Sequence, residues 1–256
     1  MRLRVLGAIT WLICCVTFAE PAPELSLTEA ERQWLAQHPV VTFTGDPNWL
    51  PFEAFTEDGQ YIGIVAEFLR EFEHRIGIRF KKIPSRTWSH AVEMAVRGEV
   101  DVLSDDRQNQ SVMGTHRFTE SYKEHPLVVV SREGGSTLIE NLNSINGATI
   151  GYIRDYGYIW ALRQTYPEVT LTAVDDIQDG LRKLDRGDLD YFVATYTLSS
   201  FHMEKMGLEH LHVRGQLPVT MKLALGVRKD WPELLSILNK TIASMSSVER
   251  HSVAES

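Results

Sequence analysis

A short phrase is written twice in this chain, and it limits the available folds more than any other feature. Residues 91–103 read AVEMAVRGEVDVL and residues 180–193 read GLRKLDRGDLDYFV. Each is a helical stretch that ends in Arg-Gly and continues as acid, apolar residue, Asp and an apolar run. Arg97-Gly98-Glu99-Val100-Asp101 thus matches Arg186-Gly187-Asp188-Leu189-Asp190. Glycine tolerates the left-handed backbone that closes a helix, which makes Gly98 and Gly187 helix stops. The apolar runs that follow have the pattern of buried strands in a parallel sheet. A helix-to-strand unit repeated about 90 residues apart, far beyond a solenoid period, predicts two similar α/β lobes. Two lobes imply a cleft, and clefts between lobes bind ligands.

The N-terminus reads as a processing segment. Arg2 and Arg4 precede an apolar stretch, residues 5–19, that is short for a membrane span. Thr17-Phe18-Ala19 ends in a small residue, so residues 1–19 are expected to be a signal peptide cleaved after Ala19. Lipidation would use Cys14 or Cys15, but Ile13 and Cys14 precede them where a small residue is needed, and this ranks below cleavage. An uncleaved anchor is the remaining alternative. Both cysteines of the chain lie in this segment, so the mature chain would have no disulfide, thiolate nucleophile or cysteine metal site. Losing Arg2 and Arg4, with no acid in residues 1–19, takes the formal charge from −8 to −10. Such a chain is a poor partner for nucleic acid or anionic membrane.

Residues 20–39 read as a Pro-rich acidic tether and a short helix, with Thr28 and Glu31 spaced as a capping box and Pro39 ending it. Residues 40–44 form a strand and residues 45–51 a loop, because two prolines and a Gly-Asp pair break a ladder. Asp58-Gly59 marks a tight turn, and residues 64–76 carry apolar positions at helical spacing up to Gly77. A continuous apolar strand at 126–130 is followed by Gly134-Gly135, the best hinge candidate. The second lobe alternates strands (148–153, 169–174, 189–194) with helices (158–165, 179–184, 197–206). A strand at 223–227 and a helix at 232–244 close the chain. The expected division is residues 40–130 plus 219–256 for one lobe and 131–218 for the other.

Several motifs in order then carry a resemblance. They are Gly45-Asp46-Pro47-Asn48-Trp49-Leu50-Pro51-Phe52-Glu53, Asp58-Gly59-Gln60-Tyr61-Ile62-Gly63, Trp88 before a helix, the first Arg-Gly-acid phrase, Phe118-Thr119-Glu120-Ser121-Tyr122, and residues 227–235. This series resembles the extracellular solute-binding proteins of family 3 and covers nearly all of the mature chain. The lead-in at residues 27–35 and the tail at 235–240 are similar to the Venus-flytrap sensor domains of bacterial sensor kinases and diguanylate cyclases. The resemblance implies an α/β fold of two lobes, of the periplasmic-binding-protein type II. Each lobe has a parallel-rich sheet, two crossovers join them, and the C-terminal segment returns to the first lobe. Solute would bind between the lobes and close them.

The resemblance also assigns site positions. Amino-acid-binding members grip the ligand carboxylate with an Arg, which here falls on Val112, and the ligand ammonium with an Asp, which here falls on Thr195. Both charged grips are therefore missing, and an α-amino acid is not expected to bind in the family's usual way. Arg107 and Arg154 are the candidates for a displaced cation, although each also reads as a solvated surface residue, Arg107 the more so. Trp49 and Trp88 match positions where aromatic faces meet the ligand, and the alternative for each is packing on its own lobe. Asp46 borders the pocket position or caps its own loop. Asp105 and Asp106 follow the first repeat strand, where open α/β sheets place ligands. The loop of Arg154, Asp155, Tyr156 and Gly157 offers backbone amides at a helix start.

Enzyme motifs are weak. His210 and His212 are the nearest approach to metal spacing among nine histidines, and there is no G-x-S-x-G elbow or Walker loop. The expectation is a periplasmic, non-catalytic, monomeric solute-binding protein without cofactor or metal, serving an ABC importer. A sensory receptor signalling to a membrane kinase or cyclase is the alternative. A dehydratase resembling those that act on cyclic dicarboxylates ranks lower, because Val112 removes a cationic clamp.

Overall fold

The computed structural model describes residues 25–107, 109–132, 137–154 and 156–255. The segment read as a signal peptide, with both cysteines, the first part of the expected tether, Gly134-Gly135 and Asp155 lie outside the described residues. The chain opens with α1 (Glu29–Gln37), β1 (Val40–Thr44), β2 (Asn48–Trp49), β3 (Glu53–Phe55), β4 (Tyr61–Ile62), α2 (Ile64–Ile76), β5 (Arg79–Lys82), α3 (Trp88–Val96) and β6 (Val102–Asp106). It continues through β7 (His116–Phe118), β8 (Lys123–Ser131), β9 (Ile150–Ile153), α4 (Tyr158–Thr165), β10 (Leu171–Val174), α5 (Ile177–Arg186) and β11 (Tyr191–Thr195). The last elements are α6 (Tyr196–Lys205), β12 (His212–Arg228), α7 (Pro232–Ala243) and α8 (Ser247–Glu255).

Local chemistry explains the boundaries. Thr28 caps α1, and Glu31 returns the bond to the Thr28 N–H at 2.7 Å, completing the capping box. The apolar stripe of α2, Val65, Phe68, Leu69, Phe72 and Ile76, is buried, and Gly77 closes the helix at φ 73°. The doubled phrase is a structural repeat. Gly98 and Gly187 both have positive φ, at 72° and 87°, and Val100 and Leu189 are both buried. Each closing Asp reaches the first strand of its own lobe. The Asp101 carboxylate accepts from the N–H and hydroxyl of Thr42, at 2.9 and 2.6 Å, and that of Asp190 accepts from the Thr149 N–H at 2.8 Å.

One hydrogen-bonded path orders the main sheet β10-β9-β11-β8-β12-β6-β1-β5, with β7 beside β12. The outer pairs of each half are parallel, and the central strands β8 and β12 run antiparallel to each other and to their neighbours β11 and β6. The result is two α/β lobes on a shared central ribbon. Leu127–Val130 of β8 pair with β11 on the second side, whereas Leu223–Val227 of β12 pair with β6 on the first. After β12, α7 packs on α1 and α2, so the chain ends on the first lobe.

Three of the differences from the sequence reading have a clear local cause. The loop at 45–51 contains β2, a two-residue strand that pairs with Glu53 and Ala54 between the prolines. The strand at 223–227 is the end of a seventeen-residue strand, which sequence pattern hides because Gly215 and Pro218 interrupt it. The ladder absorbs them at register shifts between Val213 and Gly215 and between Gln216 and Thr220. The second repeat strand begins at Tyr191, two residues late, because Leu189 and Asp190 make the turn onto Thr149. Among the described residues no helix is long and apolar enough to cross a membrane.

Candidate functional site

Between the lobes lies a cavity of about 300 Å³, counting its mouth, lined by Asp46, Trp49, Trp88, Asp105, Asp106, Tyr156, Gly157 and Met221. Its walls come close enough that the interior holds little beyond a single water.

The first lobe builds most of the wall. The loop after β1 folds over Glu53, which is fully buried. The Glu53 carboxylate accepts the Asp46 N–H at 2.8 Å and the Tyr61 hydroxyl. A side chain at residue 45 would meet that carboxylate oxygen at 2.3 Å, which requires Gly45. Asp46 then accepts the Asn48 N–H at 2.9 Å through one oxygen, and Trp49 turns inward from β2 with Phe52 at 4.6 Å. Trp88 starts α3, whose cap is Thr87. Asp105 and Asp106 end β6, and both are buried. Asn109 donates its amide to both Asp105 oxygens, at 3.1 and 2.9 Å.

The second lobe adds Tyr156 and Gly157 at the start of α4, and three contacts close the cleft. Tyr156 meets the edge of Trp49 with centroids 5.4 Å apart. Gly157 packs so tightly that a Cβ there would stand 2.7 Å from the Asp106 Cβ. The Nε2–H of His202 on α6 donates to the Leu50 carbonyl at 3.0 Å.

The electrostatics are one-sided, since no Lys, Arg or His lines the cavity. Burial pushes Asp46 up, against the opposing Asn48 N–H. Burial also pushes Glu53 up to about 8, with the Tyr61 and Asp46 donors opposing and the Asp46 charge adding to it. Asp105 is raised well above the carboxylate range by burial, the Asn109 amide opposing and the Asp106 charge adding. Glu31 shows what a counter-charge does. Burial raises it, but bonds from Lys240, Thr28 and Ser236 outweigh burial and hold it at about 2.

Five of the eight sequence-expected site residues therefore meet at the cavity: Asp46, Trp49, Trp88, Asp105 and Tyr156. The other three are engaged elsewhere. Arg107 forms a bidentate pair with Glu120 at 2.7 and 2.9 Å on the surface. Arg154 pairs with Asp175 at 3.5 Å and is exposed. Thr195 is fully buried and caps α6, accepting the Leu198 N–H at 3.2 Å. Val112 packs among Met94, Ala95, Val100 and Leu103, so the position that the resemblance matched to the family's Arg holds apolar core. Sequence reasoning missed Glu53 and Met221 as site-forming residues, and it named Gly157 only for its loop's backbone amides. Glu53 was readable as an acid eight residues before Tyr61, but its burial was not, and Met221 carries no signal within its strand.

A family model of the bacterial extracellular solute-binding proteins, family 3, matches residues 41–252. Virulence sensor protein BvgS of Bordetella pertussis is 27% identical over 92% of this chain and 19% of its own length. Sensor protein EvgS of Escherichia coli (strain K12) is 27% identical over 88% of this chain and 19% of its own length. The chain thus spans about a fifth of the curated relatives it matches. The crystal structure of the Bordetella pertussis BvgS periplasmic VFT2 domain superposes with a TM-score of 0.79 at 25% identity, covering 90% of this chain and 98% of that one.

Proposed function

The chain belongs to the bacterial extracellular solute-binding proteins, family 3, and from that premise we propose that it is a periplasmic sensory domain. In this reading a small solute binds between the lobes, shifts the balance towards the closed form, and the change passes to a membrane-bound signalling partner. The observation that carries it is the cavity at the junction of the lobes, with walls from both and three cross-cleft contacts beside it. A ligand held by both walls favours closure because only the closed form offers both sets of contacts. The sensor relatives support a sensory output over the importer that sequence alone put first, and neither relative is named for catalysis. Asp46, Trp49, Trp88, Asp105 and Tyr156 are the proposed solute contacts.

The test is a chimera in which this chain replaces the matching segment of the Bordetella sensor, with kinase output as the readout. Gly157→Val drives a branched side chain into Asp106 and holds the lobes apart. The expected result is a change in basal output of at least several-fold relative to the unmutated chimera. Equal output from both would overturn the sensory reading.

A further inference from the structure

The cavity wall has three features that together define a ligand. Asp46, Asp105 and Asp106 face or border it, while none of its lining residues carries positive charge. Aromatic faces from Trp49, Trp88 and Tyr156 complete it. Trp49 is only 8% exposed, and its Nε1–H has no hydrogen-bond partner among the described residues. Buried donors are normally satisfied, so this one is open to an acceptor that a ligand brings.

Each ligand class meets these walls differently. An anion would face three acidic side chains and no counter-charge. The space before α4, where an anion gains from backbone N–H groups, already has Asp106 packed against Gly157. An α-amino acid would leave its carboxylate without a cation, since Val112 is core and Arg107 and Arg154 pair elsewhere. Among the described residues no three acids or histidines converge to hold a metal ion. A protonated amine suits the site: the Asp46 oxygen not used by Asn48 accepts from it, and aromatic faces attract its charge. A hydroxyl or carbonyl on the same molecule would accept the Trp49 N–H. An incoming cation also favours the ionised forms of Asp46 and Asp105, which burial holds above the usual carboxylate range.

We propose that this cleft binds a small protonated amine that lacks a carboxylate and carries one hydrogen-bond acceptor. The proposal rests on the solute-binding reading of the cleft and goes further by naming the ligand class. Four small probes test it on the full chain by calorimetry: ethanolamine, ethylamine, glycolate and L-serine. Ethanolamine is expected to bind most tightly, ethylamine more weakly, and glycolate and serine not measurably. Asp46→Asn, near-isosteric and checked for unchanged unliganded melting, should weaken both amines at least about tenfold. Trp49→Phe keeps the ring but loses the donor, and should weaken ethanolamine about fivefold while leaving ethylamine unchanged.

Binding of glycolate or serine in preference to the amines would overturn the amine class and leave the cleft as a solute site. Absence of binding by both amines, or amine binding indifferent to Asp46→Asn, would also overturn it. An amine that binds as expected yet leaves the kinase chimera unchanged would keep this inference and remove the sensory one.

Discussion

The two lobes start from the same phrase and diverge within five residues of it. In the first, the fifth residue after Asp101 is Asp106, which leaves the strand at the cleft and packs on Gly157. In the second, the fifth residue after Asp190 is Thr195, which turns back to cap α6. The asymmetry extends through the chain. The four carboxylates buried among the described residues, Glu31, Glu53, Asp105 and Asp106, all belong to the first lobe, and the second keeps its acids at or near the surface. Packing differs as well. Gly180 in the second repeat helix corresponds to Ala91 in the first, and Phe192 in the second repeat strand to Leu103. A larger strand residue goes with a smaller helix residue, so one scaffold is built with two divisions of volume. The first lobe thus concentrates charge at a cost in desolvation, while the second supplies close-packed surfaces that meet it.

The largest expected effect concerns buried charge. Below the ordinary glutamate range Glu53 is protonated in both folded and unfolded chains and has no effect. As pH rises from about 4.5 to about 8 the unfolded chain ionises first, so stability falls across that window. Asp46 and Asp105, also raised, act in the same direction. Urea unfolding of the wild type should lose about 3 kcal/mol between pH 5 and 8 that Glu53→Gln does not lose. A wild-type loss no larger than the variant's would remove the electrostatic contrast between the lobes.

Next comes packing. A methyl on Gly180 would meet the Phe192 ring at 2.3 Å, so Gly180→Ala should cost about 2–3 kcal/mol. Adding Phe192→Leu, which recreates the first lobe's pairing, should recover at least half of that loss in the same unfolding assay. If the double variant is no better than the single, the two lobes do not trade volume at this position.

The smallest effect tests the repeat itself. Asp101 is tied to Thr42 twice and to Arg228 at 3.1 Å, in a half-buried setting. Asp190 makes its Thr149 link in the open. Asp101→Ala is therefore expected to cost about 2 kcal/mol, and Asp190→Ala about 0.5–1 kcal/mol. Equal losses would mean that the shared geometry, rather than the surroundings, sets the worth of this link.

Much of the fold was legible because it rests on local rules: a capping box at Thr28 and Glu31, a glycine stop at Gly77, and two Arg-Gly helix ends. The shared ribbon was not, because Gly215 and Pro218 look like strand breakers until bulges accommodate them. At the site, Asp46, Trp49, Trp88, Asp105 and Tyr156 were readable from position in the resemblance and converge on one cavity. The pairings of Arg107 and Arg154 were not legible, because their acidic partners, Glu120 and Asp175, lie thirteen and twenty-one residues away along the chain. Thr195 looked like a lost ligand grip, but its hydroxyl is committed to the helix that follows.

The long strand β12, laddered to β8 on the second side and to β6 on the first, has a mechanical consequence. The lobes are joined through a paired ribbon, so relative motion has to twist or bend hydrogen-bonded backbone. Such a ribbon has a preferred twist and resists departure from it. The register shifts flanking Pro218 are its softest points, where pairing is already interrupted. The ribbon therefore behaves as a torsion spring with a built-in flexure. Its rest angle bears on how far apart the lobes stand, and the interrupted pairing around Gly215–Thr220 is where that angle yields most easily.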